Sequence, residues 1–211
     1  MEASFWHKKW HNGETGFHQH EVNASLIKYL PTLDLNKQAR LFLPLCGKTQ
    51  DIEWLLQQGF SVVGAELSEL AIEQLFAQLK LTPEIIELDN IRHYRNGNLD
   101  IFVGDIFHLS AAQIGHIDAI YDRAALVALP EPMRDNYSQH LIAITQGAPQ
   151  LLLTVEYDQS LKSGPPFAVA ATEVSRHYQG SYQLRLLTQT EVAGGLKGGI
   201  SAHNQVWLLS R

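Results

Sequence analysis

Short apolar runs recur along this chain, and most are separated from the next by a stretch with helical character. RLFLP (residues 40–44) is followed by a helical segment through DIEWLLQQ that stops at Gly59. SVVGAE (61–66) leads to Ser68, a residue of the N-cap type, with Glu69 in the first turn. Apolar positions at Leu70, Ile72, Leu75, Phe76 and Leu79 then carry a helical period. LDIFV (99–103), IDAIY (117–121) and QLLLTVEY (150–157) follow, with a helix expected over 134–145. Strands that alternate with helices need crossover connections. The sheet is therefore predicted to be mostly parallel, with helices on both faces, in an α/β doubly wound, Rossmann-like fold. YQLRLL (182–187) and QVWLLS (205–210) have no clear helix between them and are predicted to form an antiparallel edge pair. Residues 1–211 are expected to form a single domain, with 1–39 as an N-terminal helical cover over the binding rim.

Composition narrows the partners. A length of 211 residues suits one core, and a net charge of −6 without a Lys/Arg cluster argues against nucleic acid. Cys46 is the only cysteine, so no internal disulfide forms, which fits a reducing compartment. The opening MEASFWHKKWHNGETGFHQH lacks the apolar run of a signal peptide. No stretch approaches the roughly 18 apolar residues of a membrane span. The expectation is a cytoplasmic protein, monomeric, with a small-molecule partner and no membrane.

In doubly wound sheets ligands bind beyond the carboxyl ends of the strands, where the strand order reverses, so the residues after each strand are the informative ones. LPLCGKTQD (43–51) follows the first strand. Its Gly47-Lys48-Thr49 matches the tail of a phosphate-binding loop, but Phe42 stands where that motif needs its first glycine. The other readings are a single-glycine turn whose backbone approaches a ligand, and a plain tight turn. Glu66 ends the second strand, about 20 residues further on, where a carboxylate can accept from both hydroxyls of a ribose; the alternative is a solvated strand-end glutamate. Asp105 and Ile106 follow the third run and suit an adenine edge and face, or else Asp105 caps the next turn. Arg123 follows the fourth and offers a fork for a carboxylate, or pairs with Asp122 on the surface. Trp6 and Trp10 share a helix face and either pack as core or cover the rim with aromatic surface. His7, His11, His18 and His20 lack a carboxylate or cysteine to complete a ligand set, so no metal is expected. Cys46 has no identifiable base and reads as a small buried residue.

The segments FWHKKWHNGETGFHQHEVN, LPLCGKTQDIEWLLQQGFSVVGAELSE, YDRAALVALP and GPPF occur here in the order and spacing of thiopurine S-methyltransferases. The chain resembles that family over nearly its whole length. The resemblance implies a seven-stranded methyltransferase sheet and S-adenosylmethionine as cofactor. It places Trp10 and Phe17 beside the cofactor, Leu45 at its methionine and ribose portion, and Glu66 on the ribose hydroxyls. Asp105 and Ile106 would frame the adenine, and Arg123 would lie near the charged end or the substrate. It further implies a small aromatic or heterocyclic thiol as acceptor, with selenium and tellurium compounds as others. Animal members carry an arginine before the last strand; here EVAGGLKGGISAHNQ has none, and Lys197 is only a rough neighbour in position. Methyl transfer from a sulfonium is an in-line displacement that rests on alignment and exclusion of water, and the sequence identifies no general base. The competing readings are a non-catalytic nucleoside-binding module and a nucleotide hydrolase.

Overall fold

The computed structural model describes residues 3–16 and 18–211. Helices α1 (Ala3–His11) and α2 (Ala24–Tyr29) and a 3-10 turn (Leu30–Leu33) precede the first strand, β1 (Arg40–Leu43). Then come α3 (Gln50–Gln57), β2 (Ser61–Glu66), α4 (Glu69–Leu79), β3 (Glu84–Leu88), β4 (Ile91–Asn96) and β5 (Leu99–Val103). The second half runs α5 (Ala111–Ile114), β6 (Ala119–Arg123), α6 (Glu131–Ile144), β7 (Gln150–Tyr157), α7 (Ala171–Tyr178), β8 (Gln183–Glu191) and β9 (Ala202–Ser210).

The strands form one sheet in the order β3-β4-β5-β2-β1-β6-β7-β9-β8. The parallel centre and the antiparallel β8–β9 pair match the sequence reading. The count of seven does not: the described residues form nine strands, because β3 and β4 add an antiparallel hairpin at the opposite edge. That hairpin has no core alternation to betray it. Every residue of β3 but the last is exposed, and β4 buries Ile91 and Tyr94, three apart rather than two.

Alternation along the central strands divides the core. Leu41, Leu43 and Val62 point to one face, where Leu26 of α2, Ile52 and Leu55 of α3, and Ile72 and Leu75 of α4 cover them. Phe42, Val63 and Ala65 point to the other, against Tyr137 and Leu141 of α6 and Val174 and Tyr178 of α7. The helices on the first face start as their sequences suggest: the side chain of Thr49 caps α3 and that of Ser68 caps α4, accepting from Ala71 N. Strand β1 pairs with β2 on one side and β6 on the other, so the strand order turns there and a crevice opens beyond their carboxyl ends.

One buried carboxylate fixes the wall of that crevice. Asp122, next to last in β6, is fully buried and points away from Arg123, as neighbours on a strand must. It accepts from Tyr137 Oη at 2.7 Å and from Leu126 N at 3.1 Å, which holds the loop from 124 to 128 against α6. Burial raises its carboxyl to about 6, against the pull of those hydrogen bonds. An acid whose folded pKa is raised stabilises the fold fully below its unfolded value, near 4, and that contribution is lost as pH climbs through 6. The stability of the wild type minus that of Asp122→Asn is therefore expected to fall by about 3 kcal/mol between pH 4 and pH 6.5 and then to level off, at about 1.36 kcal/mol per pH unit. Urea titrations across that range measure it, and a difference that stays flat rejects the assignment.

Candidate active site

The turn after β1 is wound tightly: Leu45 and Gly47 are both left-handed, at φ 47° and 54°. Its amides are already committed. Cys46 N donates to Ala65 O, Gly47 N to Glu66 Oε2 and Thr49 N to Cys46 O. A phosphate-binding loop works by offering such amides to the ligand, and here a carboxylate takes the one from Gly47. Lys48 turns aside and donates to Gln74 Oε1 on α4 at 2.8 Å. The nucleotide hydrolase reading has no physical basis in this turn. Above it lies Trp10, 4% exposed, and a Cβ at Gly47 would sit 3.1 Å from the indole Cζ2. Glycine at 47 thus serves both the positive φ and the close approach of the ring.

Glu66 is buried at the crevice floor rather than solvated. Its Oε2 accepts from Gly47 N and its Oε1 from Ser68 N, each at 2.8 Å. Burial raises its carboxyl above the usual range, while the amides of Ser68, Gly47 and Leu67 pull it back. Each carboxylate oxygen accepts more than one hydrogen bond, so both retain capacity toward the cleft. Chemically this donor set fits a vicinal diol. Beside it, the Cys46 side chain packs under β2, where a Cβ on Gly64 would meet its Sγ at 2.8 Å. Burial and the nearby Glu66 carboxylate push the Cys46 thiol well above its ordinary range, so it is no nucleophile.

On the other side of the turn, Arg123 Nη1 reaches Thr49 Oγ1 at 3.3 Å and Asp51 Oδ2 at 3.4 Å. Asp51 is fully buried and also accepts from Tyr121 Oη and from the amide of Asn23. Arg123 therefore pairs with Asp51 across the crevice, not with Asp122. Sequence reasoning missed Asp51 and Tyr121. The available signal was positional: Asp51 lies in the first turn of a helix that leaves a strand end, and Tyr121 stands two residues before Arg123 on the same strand face.

Asp105 accepts from Phe107 N at 3.0 Å and so caps the 3-10 turn Ile106–His108, while Ile106 is buried. Trp10, Leu45, Glu66, Asp105, Ile106 and Arg123 all line one cleft of about 1160 Å³. Phe17 lies outside the described residues. The far arm of the cleft is walled by Val127, Met133, Pro165, Leu196 and the two lysines Lys162 and Lys197. Buried Arg134 holds that wall, donating to Leu129 O, Ala168 O and Glu173, while Phe167 N donates to Val127 O. A second hollow of about 810 Å³, beside His7 and His11, shares only Leu67 with the first. On its rim Arg92 pairs with Glu69 and Glu87. Among the described residues no helix is long and apolar enough to cross a membrane.

Comparison with known proteins places the chain in a family. The family model of thiopurine S-methyltransferase matches residues 1–209. A thiopurine S-methyltransferase of Teredinibacter turnerae is 51% identical over 211 residues, covering 100% of this chain and 98% of that protein. One of Xanthobacter autotrophicus is 49% identical over 212 residues and covered, like this chain, to 100%. Among solved structures, an S-adenosylmethionine-dependent methyltransferase of Anabaena variabilis superposes with a TM-score of 0.64 at 17% identity, covering 99% of this chain and 95% of that one. The 1,6-didemethyltoxoflavin-N1-methyltransferase of Burkholderia thailandensis, solved with S-adenosylhomocysteine, gives 0.65 at 14% identity, covering 99% and 87%. These two speak to the fold alone; the sequence relatives speak to the family. The chain belongs to the thiopurine S-methyltransferase family and is an S-adenosylmethionine-dependent methyltransferase.

Proposed function

We propose that this enzyme methylates the sulfur of a small aromatic or heterocyclic thiol, with selenium and tellurium compounds as further acceptors. The observation that carries the reading is the mixed lining of one cleft. It holds a buried carboxylate, Glu66, suited to a ribose, and apolar side chains of Val127, Met133, Pro165 and Leu196 suited to a flat ring.

In this reading Glu66 accepts from the ribose hydroxyls, and Leu45 borders the methionine and ribose portion. Asp105 and Ile106 frame the adenine. Trp10 and Phe17 cover the cofactor from the N-terminal side, as part of a segment (residues 1–39) that completes a single domain. Arg123, held by Asp51 and Thr49, meets the charged end of the cofactor or the acceptor. S-adenosylmethionine supplies a methyl group activated by a positive sulfur. The chain's own contribution is to hold the acceptor in line and keep water out, effects that together can lower a barrier by about 7–11 kcal/mol. The buried Trp10 and the strapped wall at Arg134 support that role, since both restrict solvent at opposite sides of the cleft.

Incubating the protein with S-adenosylmethionine and a heterocyclic thiol is expected to release S-adenosylhomocysteine and S-methylated product in equal amounts. Absence of both across a panel of aromatic thiols, selenite and tellurite rejects the acceptor class. Glu66→Ala is expected to weaken S-adenosylmethionine binding by about 1.5–3 kcal/mol, the range for hydrogen bonds to a charged group. Calorimetry that finds unchanged affinity in a variant with native circular dichroism rejects the ribose assignment.

A further inference from the structure

Five groups along the cleft could in principle accept a proton: Glu14, His18, Asp51, Glu66 and Asp105. Four are engaged. Glu14 is paired with Lys9 and takes a hydrogen bond from Asn12. Asp51 accepts from Asn23 N, Tyr121 and Arg123, Glu66 from two amides, and Asp105 from Phe107 N. His18 differs. It is half-buried, its backbone N donates to Thr15 O, and its ring meets His20 edge-on at 5.4 Å between centroids. Among the described residues neither ring nitrogen of His18 has a hydrogen bond, and it is the only histidine on this cleft.

We infer that His18 is the general base of the reaction and takes the proton of acceptors that arrive as neutral thiols. The inference rests on the thiol reading above. The step balances as follows. The S–H proton passes to the free imidazole nitrogen, and the sulfur lone pair forms the new S–CH₃ bond. The methyl carbon's bond to the donor sulfur breaks with its electron pair, leaving neutral S-adenosylhomocysteine. The proton then leaves the imidazolium for solvent at the cleft mouth.

The electrostatic setting suits the task. Burial, and then the charges of Lys48, His20 and Arg123, hold the His18 imidazole below the ordinary histidine range. These come from the turn after β1, from His18's own segment and from the end of β6. Asp51 and Glu66 line the same cleft but are committed to their own donors, and Lys9 is matched by Glu14. His18 is therefore held toward its neutral, proton-accepting form at pH 7, where an alkyl thiol is still protonated. The same cations that disfavour the imidazolium favour a thiolate beside it, so the gain at sulfur offsets their cost at the ring.

The test compares two acceptors at pH 7: 4-nitrobenzenethiol, which is ionised, and benzyl mercaptan, which is protonated. General bases contribute about 10²–10⁴-fold. His18→Gln is expected to lose at least tenfold more kcat with benzyl mercaptan than with 4-nitrobenzenethiol, and its rate with benzyl mercaptan should climb with pH as that thiol ionises. His18→Ala should be partly restored by imidazole added to the buffer, with benzyl mercaptan only. Calorimetry with S-adenosylmethionine checks that each variant still binds the donor. Equal losses with both thiols, no loss with either, or a wild type that methylates only the ionised thiol overturn the base assignment and leave the thiol reading standing. A wild type that binds S-adenosylmethionine but methylates no thiol overturns both.

Discussion

The cleft depends on a single carboxylate. Glu66 bridges Gly47 N and Ser68 N, and so ties the turn after β1 to the start of α4. Because the bonds are to a charged acceptor out of water, each is worth about 1.5–3 kcal/mol. They hold the 45–47 turn in a path that is left-handed at Leu45 and Gly47, which the Cβ of Leu45 disfavours sterically. With the turn fixed, Gly47 presents a surface flat enough for Trp10, and α1 gains a seat on the sheet. One side chain thus determines the loop, the start of a helix and the docking of the N-terminal segment. The same side chain lines the cleft, and its raised pKa reflects how dry its position is.

The wall at Val127 and Pro165 is built on a different plan, as loop segments strapped down from behind. Arg134 serves three acceptors there, and Tyr157 Oη donates to Pro166 O at 2.6 Å. On the opposite side the β8–β9 connection offers Leu196 and Lys197 from a turn with left-handed glycines at 194, 195, 198 and 199.

Much of this was legible in the sequence, for a physical reason. Central parallel strands are buried on both faces, so RLFL, SVVGAE and LDIFV read as continuous apolar runs, and Ser68 announces α4 by its capping chemistry. Strand ends then point to the crevice, which is why Glu66, Asp105 and Arg123, read from their places after strands, line one cleft. The β3–β4 hairpin was not legible, because an edge hairpin in solvent carries no burial pattern. Nor were the pairings legible. Asp122 and Arg123 are adjacent in sequence yet face opposite sides of the sheet, and the true partner of Arg123 is 72 residues away. His18 looked like one of four histidines of no account, since what distinguishes it, a lack of bonding partners inside a cleft, exists only in three dimensions.

The hub at Asp51 carries a consequence for how such a chain can drift. Its carboxylate is shared by the helix cap at Asn23, the hydroxyl of Tyr121 and the guanidinium of Arg123. Removing one member of a buried ionic group leaves the others uncompensated, at about 3–5 kcal/mol, whereas replacing the group together can be nearly neutral. Asp51, Tyr121 and Arg123 are therefore bound into one evolutionary unit. Lineages can exchange the whole set for another, but single steps away from it pass through a barely folded intermediate.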